Sequence, residues 1–227
     1  MNIATDIPAD KEKAPQWEDA LAYLPRHGMV EYQRQAIIYD VQQPSGNLSL
    51  IFEGRVKVST VSEDGSETAL GIFGVGQFFG EPVLLVDHPR RERAVALEKT
   101  KLMSWSAVEI ETRIEQQPKL GLALMQILAG RCLDLKERLQ SLAHDKSSKR
   151  VAWALNQFAR SGARQPDGSV SIPPLTHQSL SEYVGTSREI VTGIMTEFRR
   201  LGFVRYSRKA IQVYPEALTE HLRIQRG

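Results

Sequence analysis

The sequence predicts an α+β fold: an N-terminal β-roll of jelly-roll type, a long coiled-coil dimerisation helix, and a C-terminal winged helix-turn-helix. Three observations carry this. Between Met29 and Leu102 the chain breaks into short apolar or β-branched runs separated by turn residues. From Pro118 to about Ala143 apolar residues recur at spacings that alternate between 3 and 4. The stretch from Thr176 to Val204 reads as helix, glycine turn, helix.

Residues 1–19 are assigned to a flexible tail, with a short helix expected from Gln16 to Leu24. The roll is assigned to residues 20–117. Its strands are expected at Ile37–Tyr39, Leu48–Phe52, Val56–Val61, Thr68–Phe73 and Ala94–Leu97. Pro44-Ser45-Gly46-Asn47, Glu53-Gly54, Glu63-Asp64-Gly65, Gly74-Val75-Gly76 and Asp87-His88-Pro89 separate them, and Asp64-Gly65 between alternating runs is a hairpin signal.

Ser106 with Glu109 forms a capping box opening a helix to about Gln116. Pro118 suits the first turn of the next helix, assigned to 118–143. Its seam is Met125, Leu128, Cys132, Leu135, Leu139 and Leu142, the stripe of a two-stranded coiled coil and hence of a homodimer. Leu122, Leu124 and Ile127 make a second apolar face that can pack on the roll.

Residues 144–227 are assigned to the winged helix-turn-helix. His144 to Ser148 is a hinge, and Val151, Leu155 and Phe158 start a helix ending at Ser161-Gly162. Arg164 to Ser169 is a polar turn, and Val170–Ile172 is a short strand. Thr176 caps the first helix of the pair, Gly185 makes the left-handed turn, and Ser187 caps the second. Ile190, Val191, Ile194, Met195, Phe198 and Leu201 form the buried stripe, and Gly202 ends the helix. Strands at Phe203–Tyr206 and Ile211–Tyr214 form a wing tipped by Arg208 and Lys209.

The other face of the second helix carries the chemistry. A recognition helix enters the major groove N-terminus first. Arg188 can fork to guanine O6 and N7, and Glu189 can accept from cytosine N4. Gln178, Ser187, Thr192, Arg208 and Lys209 suit phosphate oxygens, which fix register rather than sequence.

Composition bounds the function. With 227 residues, 41% hydrophobic and 25% charged, the chain is typical of a globular protein. No apolar run approaches the ~18 residues of a membrane span. The N-terminus has no signal-peptide core, so a cytoplasmic protein with no membrane partner is expected. One cysteine excludes an internal disulfide framework and a Cys-ligated iron–sulfur cluster within the chain. Residues 144–227 hold 13 Lys/Arg and 7 Asp/Glu, a net +6, whereas residues 1–143 hold 16 and 20, a net −4. A basic C-terminal part beside an acidic N-terminal part fits a unit that binds double-stranded DNA joined to one that does not. No Ser/His/Asp order, metal-ligand spacing or cofactor loop suggests an enzyme.

The order of parts resembles the cAMP receptor protein/FNR (CRP/FNR) superfamily of bacterial transcription regulators over about residues 20–220. The resemblance rests on F-E-G-R-V-K-V (52–58), G-Q-F-F-G-E (76–81) and S-R-E with its helix (187–201). It implies a cyclic-nucleotide-binding-like roll, a homodimer on a palindromic site, and RNA polymerase as a partner. It implies that Arg188 and Glu189 read G and C of a TGTGA-type half-site; where the family often has a further Arg, this chain has Gly193.

The resemblance also places a candidate effector pocket at Gly80, Glu81, Arg90, Arg91, Leu135 and Lys136. The family's cAMP-binding members follow the cassette Arg with Ser/Thr-Ala, whereas here Arg90-Arg91 runs into Glu92-Arg93. Leu135 offers no hydroxyl to an adenine. cAMP is therefore not expected, and no cofactor is predicted. Haem needs an axial ligand, and His27, His88, His144, His177 and His221 are scattered and read as surface residues. Cys132 reads either as a small apolar filler or as half of a redox pair across a dimer axis. Two alternatives remain. One is a family member answering to cAMP or another small anion. The other is a ligand-sensing module whose helix-turn-helix binds a protein partner.

Overall fold

Strand β3 (Leu48–Glu53) is buried on both faces, which fixes the layers of the N-terminal half. Leu48 and Leu50 point to one side and Ile51 to the other, following the two-residue period of a strand. The computed structural model describes residues 18–41, 43, 46–62, 66–85, 91–160, 162–207 and 210–224. The expected tail (1–17 of it), the Asp64-Gly65 hairpin, Asp87-His88-Pro89, Arg90, Ser161, Arg208 and Lys209 lie outside the described residues.

Two four-stranded antiparallel sheets form the roll. One runs in the order β1 (Val30–Tyr32), β8 (Thr100–Trp105), β3, β6 (Phe78–Phe79). The other runs β2 (Ile37–Tyr39), β7 (Arg93–Ala96), β4 (Val56–Val61), β5 (Glu67–Phe73). Tyr39, Ile51, Val56, Val58, Phe79, Ala94 and Leu102 fill the space between them. The outer face of the β3 sheet carries Leu48, Leu50, Phe78, Met103 and Trp105 and is covered by helix α1 (Ala107–Gln116) and the start of α2 (Lys119–His144). The capping box is present, since Ser106 Oγ accepts from the Glu109 N–H and the Glu109 carboxylate accepts from the Ser106 N–H.

A two-residue break, Asp145–Lys146, separates α2 from α3 (Ser147–Arg160). The strands β9 (Ala163–Arg164) and β10 (Val170–Ile172), helices α4 (His177–Val184) and α5 (Arg188–Arg200), and strands β11 (Val204–Tyr206) and β12 (Ile211–Val213) follow, then α6 (Pro215–Ile224). Val151, Leu155, Ile172, Leu180, Val191, Met195, Phe198, Ile211 and Leu218 share one core. The wing sheet has the order β11-β12-β10-β9.

Several expectations are corrected. In place of a helix from Gln16 to Leu24, the described part is a single 3-10 turn, Ala20–Ala22, capped by Asp19. Leu24 precedes Pro25, and the residue before proline is held out of helical backbone. Leu122 is exposed rather than packed on the roll, because it lies one turn before Met125 on the seam side; Leu120, Ala123 and Leu124 make the packed face. On α5, Ile190 and Leu201 are exposed, so the buried stripe is the narrower set Val191, Ile194, Met195, Phe198. Strand β8 runs to Trp105, past the expected end of the strand region at Leu102. Strands β1, β6, β8 and β9 and helix α6 go beyond the elements expected from the sequence. Helix α6 sinks Leu218 into the core behind α3.

The C-terminal unit docks on the roll through charged groups. Lys57 Nζ on β4 donates to Glu67 (2.5 Å) and to Glu182 of α4 (2.7 Å). The side chains of Lys57 and Glu182 are only 12% and 11% exposed. Arg55 reaches the carbonyls of Pro173 (3.4 Å) and Pro174 (2.7 Å) while its Nε holds Glu98 (2.8 Å). Ile72 and Leu97 of the roll pack against the C-terminal core.

Within the roll, Arg93 makes a two-pronged bond to Asp40, with Nε to Oδ1 at 2.8 Å and Nη2 to Oδ2 at 3.0 Å. These bonds hold the Asp40 carboxyl below its ordinary range. A lowered folded-state value stabilises above the ordinary value, about 3.9, and that stability is lost as pH falls through the lowered one. Asp40→Asn should therefore melt below wild type near neutral pH, with the gap closing under acid; a gap in melting temperature that ignores pH would refute this.

Candidate nucleic-acid interface and effector pocket

The turn between α4 and α5 is built as the residue types require. Thr176 Oγ1 accepts from the Ser179 N–H at 3.0 Å, and Ser187 Oγ accepts from the Ile190 N–H at 3.3 Å. Both close free N–H groups of a first turn. Gly185 sits at φ +66°, where a side chain would be strained.

Arg188 and Glu189 stand in solvent on the first turn of α5, and among the described residues neither enters an ion pair. The Glu189 carboxyl is held below its ordinary range by the first-turn backbone N–H and by Ser187, so it is an acceptor at neutral pH. Ser187 is exposed beside them. Gln178 and Thr192, also expected to meet phosphates, are tied into the protein. Gln178 Nε2 donates to Glu182 at 2.9 Å, and Thr192 Oγ1 donates to the Arg188 carbonyl at 2.8 Å.

His177, expected as an ordinary surface histidine, is more than that. Its Nδ1 lies 2.9 Å from Thr192 Oγ1 and its Nε2 3.3 Å from the Tyr206 hydroxyl, so one ring joins α4, α5 and the wing. Burial, then the charge of Arg188, lowers its pKa and keeps it neutral at pH 7. The T-H-Q order gives no hint of this, since Thr192 and Tyr206 are distant in sequence.

The candidate effector residues are only partly brought together. Gly80 sits at φ +90°, and a Cβ there would lie 2.5 Å from the Asn47 carbonyl oxygen, so the cassette turn needs glycine. Glu81 pairs with Arg131 of α2. Arg131 also donates to the Phe78 carbonyl at 2.6 Å and lies over the Phe73 ring at 4.5 Å. Burial pushes its pKa down to about 10, so it remains charged at neutral pH. Leu135 lines the same cavity, whereas Lys136 and Arg91 are exposed and outside it. Sequence reasoning missed Arg131 and Arg138, two partly buried cations of α2. Their seven-residue spacing, one face of the helix, was the available signal.

The seam residues Met125, Leu128, Cys132, Leu135, Leu139 and Leu142 are all exposed, Met125 at 61% and Leu139 at 68%. Among the described residues no helix is long and apolar enough to cross a membrane, and no group of three or more His, Cys, Asp or Glu is placed to hold a metal ion.

Residues 29–117 match the family model of the cyclic nucleotide-binding domain, and residues 149–220 match that of the Crp-like helix-turn-helix domain. The Cyclic AMP receptor protein of Thermus thermophilus is 30% identical over 175 residues, 77% of this chain and 78% of that one. The chain belongs to the CRP/FNR superfamily of transcriptional regulators. The Global nitrogen regulator of Synechocystis sp. is 29% identical over 194 residues, 83% of this chain and 86% of that protein. A solved CRP/FNR-family transcriptional regulator, also from Thermus thermophilus, superposes with a TM-score of 0.67 at 27% identity, covering 85% of this chain and 97% of that one. FixK2 from Bradyrhizobium japonicum shares the fold, with a TM-score of 0.73 at 19% identity over 85% and 96%.

This CRP/FNR protein is thus a DNA-binding transcription regulator and not an enzyme. Helix α5 starts from the Ser187 cap. Ser187→Ala should cost about 1 kcal/mol in urea unfolding, and Ser187→Asp, which still accepts the N–H, should cost much less. Equal loss in both variants would show that the hydroxyl does not act as a cap.

Proposed function

We propose that this CRP/FNR regulator binds a palindromic promoter site as a homodimer and does so without cAMP. One observation carries the reading: α5 sinks Val191, Met195 and Phe198 into the core and leaves Arg188 and Glu189 free at its N-terminal end. That is the pose of a helix that reads base edges. Arg188 forks to guanine and Glu189 accepts from cytosine N4. Gln178 and Ser187, with Arg208 and Lys209 of the wing tip, take phosphates; the Thr192 hydroxyl has its hydrogen on the Arg188 carbonyl and steadies the helix start instead.

The exposed seam on α2 supports the homodimer, because an apolar stripe of this length calls for a partner. Pairing along it sets two recognition helices in successive major grooves, about 34 Å apart. The working division is a tail (1–19), a roll (20–117), a dimer helix (118–143) and a DNA-binding unit (144–227). The protein acts in the cytoplasm, beside RNA polymerase. The cassette supports independence from cAMP: Arg93 is engaged by Asp40 and Glu67, Arg91 stands in solvent, and Leu135 has no hydroxyl.

A second reading, regulation by cAMP, is favoured by the match of residues 29–117 to the cyclic nucleotide-binding domain. Selection from a randomised duplex library with and without cAMP separates the two. A palindrome enriched without cAMP is expected; enrichment only with cAMP assigns the second reading, and enrichment in neither case overturns both.

Arg188→Ala should cost about 1–3 kcal/mol on the selected site and relax its preference for G. A comparable loss on random duplex would remove Arg188 from base reading. Leu139→Glu should leave a folded monomer by sedimentation that loses tight palindrome binding; a variant still dimeric would place the interface elsewhere.

A further inference from the structure

Helix α5 turns one side to the core through Val191, Met195 and Phe198, and its opposite side holds Glu189, Gly193 and Thr196. Gly193 is the residue of that side with no evident structural use. It stands in mid-helix with ordinary helical backbone and is not among the glycines of positive φ. Among the described residues, a Cβ there would meet nothing within 4 Å beyond its chain neighbours and the helix's own backbone. Glycine destabilises a helix interior relative to alanine, and here neither a turn nor a crowded neighbour asks for it. Close approach of something outside the chain is the remaining use of a missing side chain.

The groups around Gly193 say what could approach. Residues three and four apart are neighbours on a helix surface, so Glu189, Ile190, Thr196 and Glu197 border it, with Thr192 beside it. Thr192 Oγ1 donates to the Arg188 carbonyl at 2.8 Å and lies 2.9 Å from His177 Nδ1. Thr196 Oγ1 donates to the Thr192 carbonyl at 2.8 Å. Both hydroxyl hydrogens are thus spent on the protein, and each exposed threonine has its γ-methyl left to offer. The two glutamates, when ionised, can only accept. No side chain bordering Gly193 has a free hydrogen to donate, so a guanine there would leave O6 and N7 unpaired. A thymine methyl asks for no hydrogen bond.

We infer that Gly193 and the γ-methyls of Thr192 and Thr196 form a notch for a thymine 5-methyl group, a base-reading site beyond Arg188 and Glu189. The inference rests on the proposed entry of α5 into the major groove. Gly193 lies one turn past Glu189, about 6 Å along the helix axis, and base pairs are about 3.4 Å apart. The thymine is therefore within about two base pairs of the cytosine that Glu189 meets. Bare backbone at the floor of the notch lets the helix come down onto the methyl, and the two threonine methyls flank it.

Uracil is thymine without that methyl, so it tests the notch with the wild-type full chain. Fluorescence anisotropy is measured on the palindrome selected from the randomised library, with thymines replaced by uracil one symmetric pair at a time. The reference cytosine is the one whose preference Glu189→Ala loses. One thymine near it is expected to lose about fourfold in Kd per half-site on replacement, the worth of one buried methyl. Thr192→Ser combined with Thr196→Ser keeps both hydroxyls, removes both methyls, and should bring the thymine-to-uracil ratio close to one. Gly193→Ala should melt higher than wild type yet bind the thymine duplex more weakly, with the uracil duplex less affected. Failure to select any palindrome overturns the groove reading and this inference with it. A selected palindrome with no uracil-sensitive thymine in that range overturns the inference alone. So does an unchanged ratio in the double serine variant, or full-strength binding of the thymine duplex by Gly193→Ala.

Discussion

Helix α2 carries two unlike faces, one packed on the roll and one in water, and the rest of the molecule is arranged around it. At 26 residues it is about 39 Å long. Its first turns sink Leu120, Ala123 and Leu124 against the outer sheet of the roll. Further along, Arg131 and Arg138 replace apolar contact, each reaching strand carbonyls with a charged fork. The opposite face keeps its leucines in water. The helix is thus fastened to the roll along much of its length and joins α3 through Asp145 and Lys146 alone. Arg150 stiffens the joint by bonding the carbonyls of Asp145, Val184 and Gly185.

The contact between the roll and the C-terminal unit is largely polar at its centre. Lys57 lies between Glu67 and Glu182 with little exposure to water, and Arg55 caps two proline carbonyls. Taking such charges out of water offsets much of their attraction, so contacts of this kind select one geometry more than they add stability. Glu182 also accepts from Gln178, so a hydrogen-bonded chain runs from the roll strand to the exposed side of α4. Polar contacts between units of one protein are also the kind that separate and re-form.

Much of the fold was legible because its causes are local. Ser106, Thr176 and Ser187 cap the helices their types suggest, Gly185 and Gly202 take the left-handed turns, and the seam at spacings of 3 and 4 lies on one exposed face. Misplacements fall where a local pattern meets a neighbour. Ile190 and Leu201 satisfy a helical period, yet they lie at the edges of a stripe whose width is set by the elements behind it. Leu122 fits the roll-facing set by spacing, although the seam claims it in space. Of the candidate site, Arg188 and Glu189 are exposed on the first turn of α5, whereas Arg91 and Lys136 stand away from the cavity.

The sequence by itself determined the main helices, most strands of the roll and wing, and their order. Strand alternation, helical period and capping act within a few residues, so the residues that cause them are adjacent in the chain. Tertiary structure alone decided the partners of the charges: Arg131 with Glu81, Lys57 with Glu182, His177 with Thr192 and Tyr206, and Arg138 with carbonyls and a ring but no carboxylate. A hydrogen bond or ion pair depends on a few ångströms in space and not on separation along the chain. Those partners therefore exist only once roll, α2 and wing have packed.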